Sequence, residues 1–519
     1  MRIVKSFVGG KWFTPPQAEA RLIDPCTEEV LGGVSSQGLD FGAALGFARE
    51  RGGPALRELS FARRGELLAA MSKAIHAGRD ELIELSLAHM GATRRDAKFD
   101  IDGGTFTLAH YAALAAELGD RPYILDGAGI QLGRSPRFWG QHVLLPLTGV
   151  AVHVNAFNFP VWGFAEKAAC ALLAGMPVIT KPATSSAAVA ERCFEMVVEA
   201  GIVPEGALSL VSGATGDLLD RLGPQDVLGF TGSAATALGL RGKRNLLANS
   251  ARVNVEADSL NAAVLAPGTG RASETWTAFI RDVSREMTQK SGQKCTAVRR
   301  ILVGRDEVGA VREDHLAALG EAVTGNPRDE RVTMGPLATR RQLDDALEGF
   351  ARLRAECEVL CGTGARVDGV GNPEGKGFFL EPALLLSREP HAARAVHEHE
   401  VFGPVATILA YDGTAADAAA LAARGEGSLV TSLYADDAGF VERFVRLGGA
   451  TCGRLYIGSE KVAAQLPGSG TVLPQLRHGG PGRAGGGDEL GGLRGLELYL
   501  ARVALSGDRS LVDRIAGAR

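Results

Sequence analysis

Cys295 lies in EMTQKSGQKCTAVRRILVG, a small-residue loop that follows a helical stretch and precedes a strand-like one, with Lys290 and Lys294 close by to favour its thiolate. A thiolate can attack an electrophilic carbon, but a lone cysteine in such a loop is more often a buried structural thiol. Its company changes the reading. Glu256 closes the apolar run in ARVNVEADSLNAAVLA, where a carboxylate has no structural reason to be unless it is paired or working.

Two strand-to-loop junctions look suited to a dinucleotide. In QDVLGFTGSAATALGL a strand stops at Phe230, turns through Thr231, Gly232 and Ser233, and enters a helix whose free N–H groups could hold a pyrophosphate. Taken alone, such a turn is more often simple helix capping than phosphate binding. In VITKPATSS a strand delivers Lys181 beside a proline, aimed at a ribose or phosphate.

Other candidates read as structural. His153, in VAVHVNAF, is expected to be a histidine satisfied at a strand end. Cys357 and Cys361 have no second Cys/His pair at zinc-finger spacing. HEHE, read as a strand, puts His397 and His399 on one face and Glu398 and Glu400 on the other, so no metal site is expected.

The elements behind these loops follow from periodicity. From Phe41 to Leu118 the apolar residues recur at helical spacing; then short apolar runs alternate with helical segments, which predicts a parallel sheet covered on both faces. A second α/β alternation runs from about Ala262 to Ala450, and a Gly-rich loop and a final strand close the chain. A length of 519 residues suggests two to four domains. The net charge of −4 excludes the basic surplus of a nucleic-acid binder, and no signal peptide or membrane span is apparent, so a cytoplasmic address is expected. Seven scattered cysteines read as reduced thiols.

NAFNFP at 155–160, TKPA at 180–183, FTGS at 230–233, Glu256, GQKC at 292–295 and EVFGP at 400–404 occur in an order that resembles the aldehyde dehydrogenase superfamily. The resemblance implies a Rossmann-like cofactor domain (1–130 and 150–257), an α/β catalytic domain (258–455) and a small β oligomerisation element (131–149 and 476–519) that pairs a homodimer. It implies Cys295 as nucleophile, Glu256 as general base, Asn158 as oxyanion donor with the Cys295 N–H, and Glu489 as a proton relay. Lys181 and Glu400 would grip the cofactor riboses, with Phe402 in the same motif. Thr231, Gly232 and Ser233 would hold the phosphates. The chemistry asks for this set: a thiolate adds to the aldehyde, donors hold the oxyanion, and a carboxylate activates water against the thioester.

Where many members have Glu-Leu-Gly-Gly-Lys, this chain has Glu256-Ala257-Asp258-Ser259-Leu260. With HVNAFNFP, KPAT, GSAAT and HGGPGRAGGG, the variant is similar to a narrower group of the family that serves aerobic breakdown of aromatic compounds. That likeness implies a CoA-linked semialdehyde, 3,4-dehydroadipyl-CoA semialdehyde, as substrate. A CoA-acylating enzyme and a non-catalytic protein that keeps the fold are the alternatives. NADP is expected over NAD, because many NAD-preferring relatives carry a glutamate where this chain has Thr184, followed by Ser185. Thr184 could also be a helix cap.

Overall fold

The computed structural model describes residues 2–517. Ala151–Val154, Val178–Lys181, Leu208–Leu210, Val227–Thr231 and Arg252–Glu256 form the parallel part of a seven-stranded sheet, which Ser6–Val8 and Lys11–Phe13 extend in antiparallel fashion. The inner strands are buried along most of their length because helices cover them, which is why they read as unbroken apolar runs. Register aligns Thr231 with Glu256 and Val154 with Lys181, so the residues singled out in sequence emerge together at the carboxyl ends of the strands. Open α/β sheets bind ligands there.

A second seven-stranded sheet is built from Ala262–Leu265 to Cys452–Gly458 and is parallel except for its edge strand Glu358–Cys361. A third, antiparallel sheet joins Ile124–Gln131, Phe138–Pro146 and Leu500–Asp508. It begins at Ile124, ahead of the 131–149 stretch expected from sequence.

Side-chain caps start many of the helices: Ser60, Thr93, Ser273 and Thr339 each accept from a backbone N–H in the first turn, a contact that contributes about 1 kcal/mol. The helices Phe61–Ala77, Arg94–Leu118 and Trp162–Ala174 share one core beneath the first sheet. The last of these is buried nearly all round. Its N-terminus is held by buried Asp100, which accepts from the N–H of Val161 at 3.3 Å and of Trp162 at 2.8 Å. No helix among the described residues is long and apolar enough to cross a membrane.

One expectation is corrected. HEHE is not a strand: Ala395–Glu398 is a helical turn, because Glu356 accepts from the N–H groups of Arg394 and Ala395 and caps it. His397 is buried against the Pro390 carbonyl at 2.9 Å, while His399 lies beside Arg352, so the two do not share a face.

Candidate active site

Three segments converge at the carboxyl edge of the first sheet. Arg252–Glu256 ends on buried Glu256, the loop after Ala151–Val154 carries Asn158, and the turn Gln289–Gly292 leads to Cys295. That turn bends through three consecutive left-handed residues, Lys290 at φ 54°, Ser291 at φ 55° and Gly292 at φ 69°. Non-glycine residues in this region store strain of roughly 1–3 kcal/mol each, which the surroundings must offset. At Gly292 a Cβ would stand 2.2 Å from the Gly403 carbonyl, so no side chain fits.

The offset comes from hydrogen bonds. Ser291 Oγ donates to the Gly335 carbonyl at 2.7 Å, and Gln293 Oε1 accepts from the Ala338 N–H at 2.9 Å. Arg299 donates to the Gly292 carbonyl at 2.9 Å and the Gly403 carbonyl at 2.8 Å, tying the cysteine turn to the EVFGP loop. Asn261 Nδ2 donates to the carbonyls of Cys295 at 2.8 Å and Ala297 at 2.9 Å, while its Oδ1 accepts from Ser259 Oγ at 2.6 Å.

Cys295, Glu256, Asn158 and Thr231 line one cleft together with Glu166, Lys167 and His478. His478 Nε2 stands 3.2 Å from Glu256 Oε2. Burial alone would raise the Glu256 pKa, but the imidazole, with lesser help from Lys167 and the Cys295 thiol, overcomes it and holds the carboxyl down at about 2. Burial works against a charge on His478 too, yet Glu256 raises its pKa above the ordinary value. Burial and then the Glu256 charge push the Cys295 thiol well up.

The expectation that Lys290 and Lys294 favour the thiolate is therefore corrected. Lys294 pairs with Glu286 at 2.7 Å, and Lys290 lies over the Phe159 ring, 4.5 Å from its centre. Both ammonium groups are turned to other partners by the bend of the loop, so the nearby charge that acts on the thiol is the carboxylate.

Lys167 joins Glu166 at 2.9 Å to Glu489 at 3.3 Å, and Glu489 also accepts from Asn254 Nδ2 at 3.2 Å. Burial raises Glu489 to about 7 against the pull of Lys167. Oxygens of Glu166, Glu256 and Glu489 lie within 4.8 Å of one another, so the three carboxyl groups form one cluster. Asn158 uses one amide N–H on the Gln293 carbonyl at 3.1 Å and keeps its second for another acceptor.

Thr231 shares that lining, and the other nucleotide-type residues lie apart from it. Among the described residues Lys181 Nζ donates only to the adjacent Pro182 carbonyl, at 3.1 Å. Thr231 Oγ1 is shielded from solvent without a hydrogen-bond partner among the described residues, Gly232 N–H donates to the Glu256 carbonyl at 3.1 Å, and Ser233 caps Ala234–Arg241. Thr184 and Ser185 belong to the short turn Thr184–Ser186 ahead of the helix that starts at Ala187, and neither side chain makes a hydrogen bond among the described residues. Capping thus leaves Thr184 unexplained. Glu400 accepts from the Ser259 N–H at 2.9 Å and from Arg299 at 3.3 Å, and burial lifts it to about 7. Phe402 packs edge-on against Phe157 at 6.0 Å.

The sequence reading did not single out Lys167, Glu166, His478, Asn261 or Arg299 as site residues. A signal existed for Lys167, an ammonium that with Glu166 interrupts the apolar helix WGFAEKAACALLA, where its burial is costly unless it is paired. His153 is buried, bonded to Tyr499 Oη at 3.1 Å and held neutral by burial, with its pKa down at about 3.

The sequence profile of the aldehyde dehydrogenase family matches residues 12–501. A 3,4-dehydroadipyl-CoA semialdehyde dehydrogenase of Aromatoleum evansii is 45% identical over 476 residues, covering 92% of each chain. The succinate-semialdehyde dehydrogenase [NADP(+)] of Escherichia coli is 27% identical over 86% of this chain and 87% of its own. Among solved structures, betaine aldehyde dehydrogenase of Staphylococcus aureus in complex with NAD+ superposes with a TM-score of 0.83 at 23% identity, covering 97% of this chain and 95% of that one, a likeness of fold.

Proposed function

The chain belongs to the aldehyde dehydrogenase family, and we propose that it oxidises a CoA-linked semialdehyde to the free acid through a thioester on Cys295. The observation that carries this reading is the meeting of Cys295, Glu256 and Asn158 in one cleft, with Glu256 held ionised beside the thiol. The CoA-linked substrate rests on the identity to the Aromatoleum evansii enzyme.

Glu256 takes the thiol proton and the thiolate adds to the aldehyde carbon. The free N–H of Asn158 and the Cys295 N–H receive the oxyanion, each such donor being worth roughly 10²–10³ in rate. A dinucleotide bound beside Cys295 would supply the hydride acceptor, and loss of hydride from the adduct leaves the thioester on Cys295. Glu256 passes the thiol proton on by way of Glu489, Lys167 and Glu166 and, ionised again, takes a proton from water, which attacks the thioester; the acid leaves as Cys295 departs as the thiolate and regains its proton from Glu256. General-base help of this kind contributes about 10²–10⁴.

The strand ends fit a dinucleotide. Among the described residues Thr231 Oγ1 has no hydrogen-bond partner and Lys181 reaches no carboxylate. Thr231, Gly232 and Ser233 would hold phosphate, Lys181 and Glu400 the riboses, and Thr184 with Ser185 a 2′-phosphate, which favours NADP. Apolar Ile130, Phe138 and Val503 are 56%, 48% and 36% exposed on the three-stranded sheet, which supports a homodimer paired through it.

A substrate panel tests the reading: free aliphatic aldehydes against CoA-linked semialdehydes, without added CoA. We expect free carboxylic acid and a higher kcat/KM for the CoA-linked group. Product formation that requires added CoA would mean acyl transfer to CoA, and turnover of none of these aldehydes would overturn the oxidation itself.

A further inference from the structure

We infer that Cys295, His478 and Glu256 form a zinc site, and that zinc bound there reversibly blocks the enzyme. Ligand atoms of the three side chains lie within 4.8 Å of one another. His478 Nε2 and Glu256 Oε2 are 3.2 Å apart, and two ligands of one tetrahedral zinc, at about 2.0–2.2 Å from the ion, are separated by about 3.3 Å. Sulfur, imidazole and carboxylate are the donors zinc takes, and three protein ligands leave its fourth position to water. Positions 256, 295 and 478 are far apart in the chain, so no ligand spacing announces the site in sequence.

Charge favours the ion. On binding, the Cys295 S–H bond and the N–H bond at His478 Nε2, which faces Glu256, both break, their two protons pass to the buffer, and zinc–sulfur and zinc–nitrogen bonds replace two zinc–water bonds. Thiolate and carboxylate together then balance the two positive charges, with a neutral imidazole as third ligand. The neighbouring group of Glu166, Glu256 and Glu489 is a poorer cation site, because the Lys167 ammonium already pairs with two of its carboxylates. Zinc at Cys295 occupies nucleophile and base at once, so aldehyde cannot add. The inference depends on neither the choice of aldehyde nor that of dinucleotide.

The test is metal binding by the full-length protein, freed of metal with a chelator and titrated with zinc, then with cobalt as a coloured probe. We expect one zinc per chain at micromolar concentration or below, a thiolate-to-cobalt charge-transfer band, and protection of Cys295 from iodoacetamide read by mass. Cys295→Ser and His478→Gln should each weaken zinc binding by about 100-fold or more, since even an outer partner of a metal ligand is worth 10–100-fold. Cys361→Ser, at a half-buried thiol on the edge strand of the second sheet, should leave it unchanged. No zinc uptake by the wild type, cobalt uptake without the charge-transfer band, or undiminished zinc binding in Cys295→Ser overturns the inference. If His478→Gln does not fold, the cobalt spectrum and the alkylation of wild type decide alone.

Discussion

His478 Nε2 lies 3.2 Å from Glu256 Oε2, and both side chains are only 4% exposed. The contact gives the general base a partner 222 positions later in the chain, and it determines how the base titrates.

The Glu256 pKa is depressed from 4.5 to about 2, so its share of stability is present above 4.5 and is lost as pH falls towards 2. The His478 pKa is raised from 6.5, so its share is present below 6.5 and is lost as pH rises through the raised value. The difference in melting temperature between wild type and His478→Gln should therefore be largest between pH 4.5 and 6.5. In the variant the acid limb of kcat should move up by about 1–3 pH units, the usual effect of removing an opposite charge. A limb that stays in place would show that His478 does not hold the base ionised.

Cys295→Ala should abolish turnover and leave cofactor affinity nearly unchanged. Glu256→Gln should slow both phases of a stopped-flow trace, because the same carboxylate faces the thiol and the water. We expect losses of about 10²–10⁴ in steady-state rate. From sequence alone Glu256 is expected to act only in hydrolysis, which requires a full first burst in Glu256→Gln. Measuring burst amplitude and rate separates the two readings.

Glu489 titrates near neutrality, with its pKa at about 7. If it passes protons on from Glu256, the rate of thioester hydrolysis should show an inflection near pH 7 that disappears in Glu489→Gln. An unchanged profile in the variant would remove Glu489 from the relay.

Thr184→Glu should shift preference from NADP towards NAD. A carboxylate a few ångströms from a 2′-phosphate costs about 1–4 kcal/mol between water and a protein-surface dielectric. Initial rates with both cofactors, on wild type and variant, check it; a wild type that prefers NAD contradicts the proposal.

Asn261→Ala should lower stability by about 2–4 kcal/mol, since buried carbonyls of Cys295 and Ala297 lose their donor and Val430 N–H loses its acceptor. Because Asn261 positions the cysteine backbone, kcat should fall more than KM rises. Denaturant melts and steady-state kinetics together test this; a variant as stable and as active as wild type would refute the assignment.

Local chemistry determined much of this protein in sequence. The two α/β alternations appear because short unbroken apolar runs alternate with period-3.6 segments in the chain, and Glu256 is legible because a carboxylate at the end of an apolar strand conflicts with its surroundings. Cys295 and Asn158 were recognisable through short motifs whose chemistry is local. Tertiary structure alone decided what those groups meet. Glu256 finds His478, Lys167 finds Glu489, and Arg299 joins the Gly292 turn to the Gly403 loop. It also turned Lys290 and Lys294 away from the thiol and folded HEHE into a helical turn. Such pairings join positions distant in sequence, and pKa values depend on burial and on charges a few ångströms away, neither of which any local pattern records.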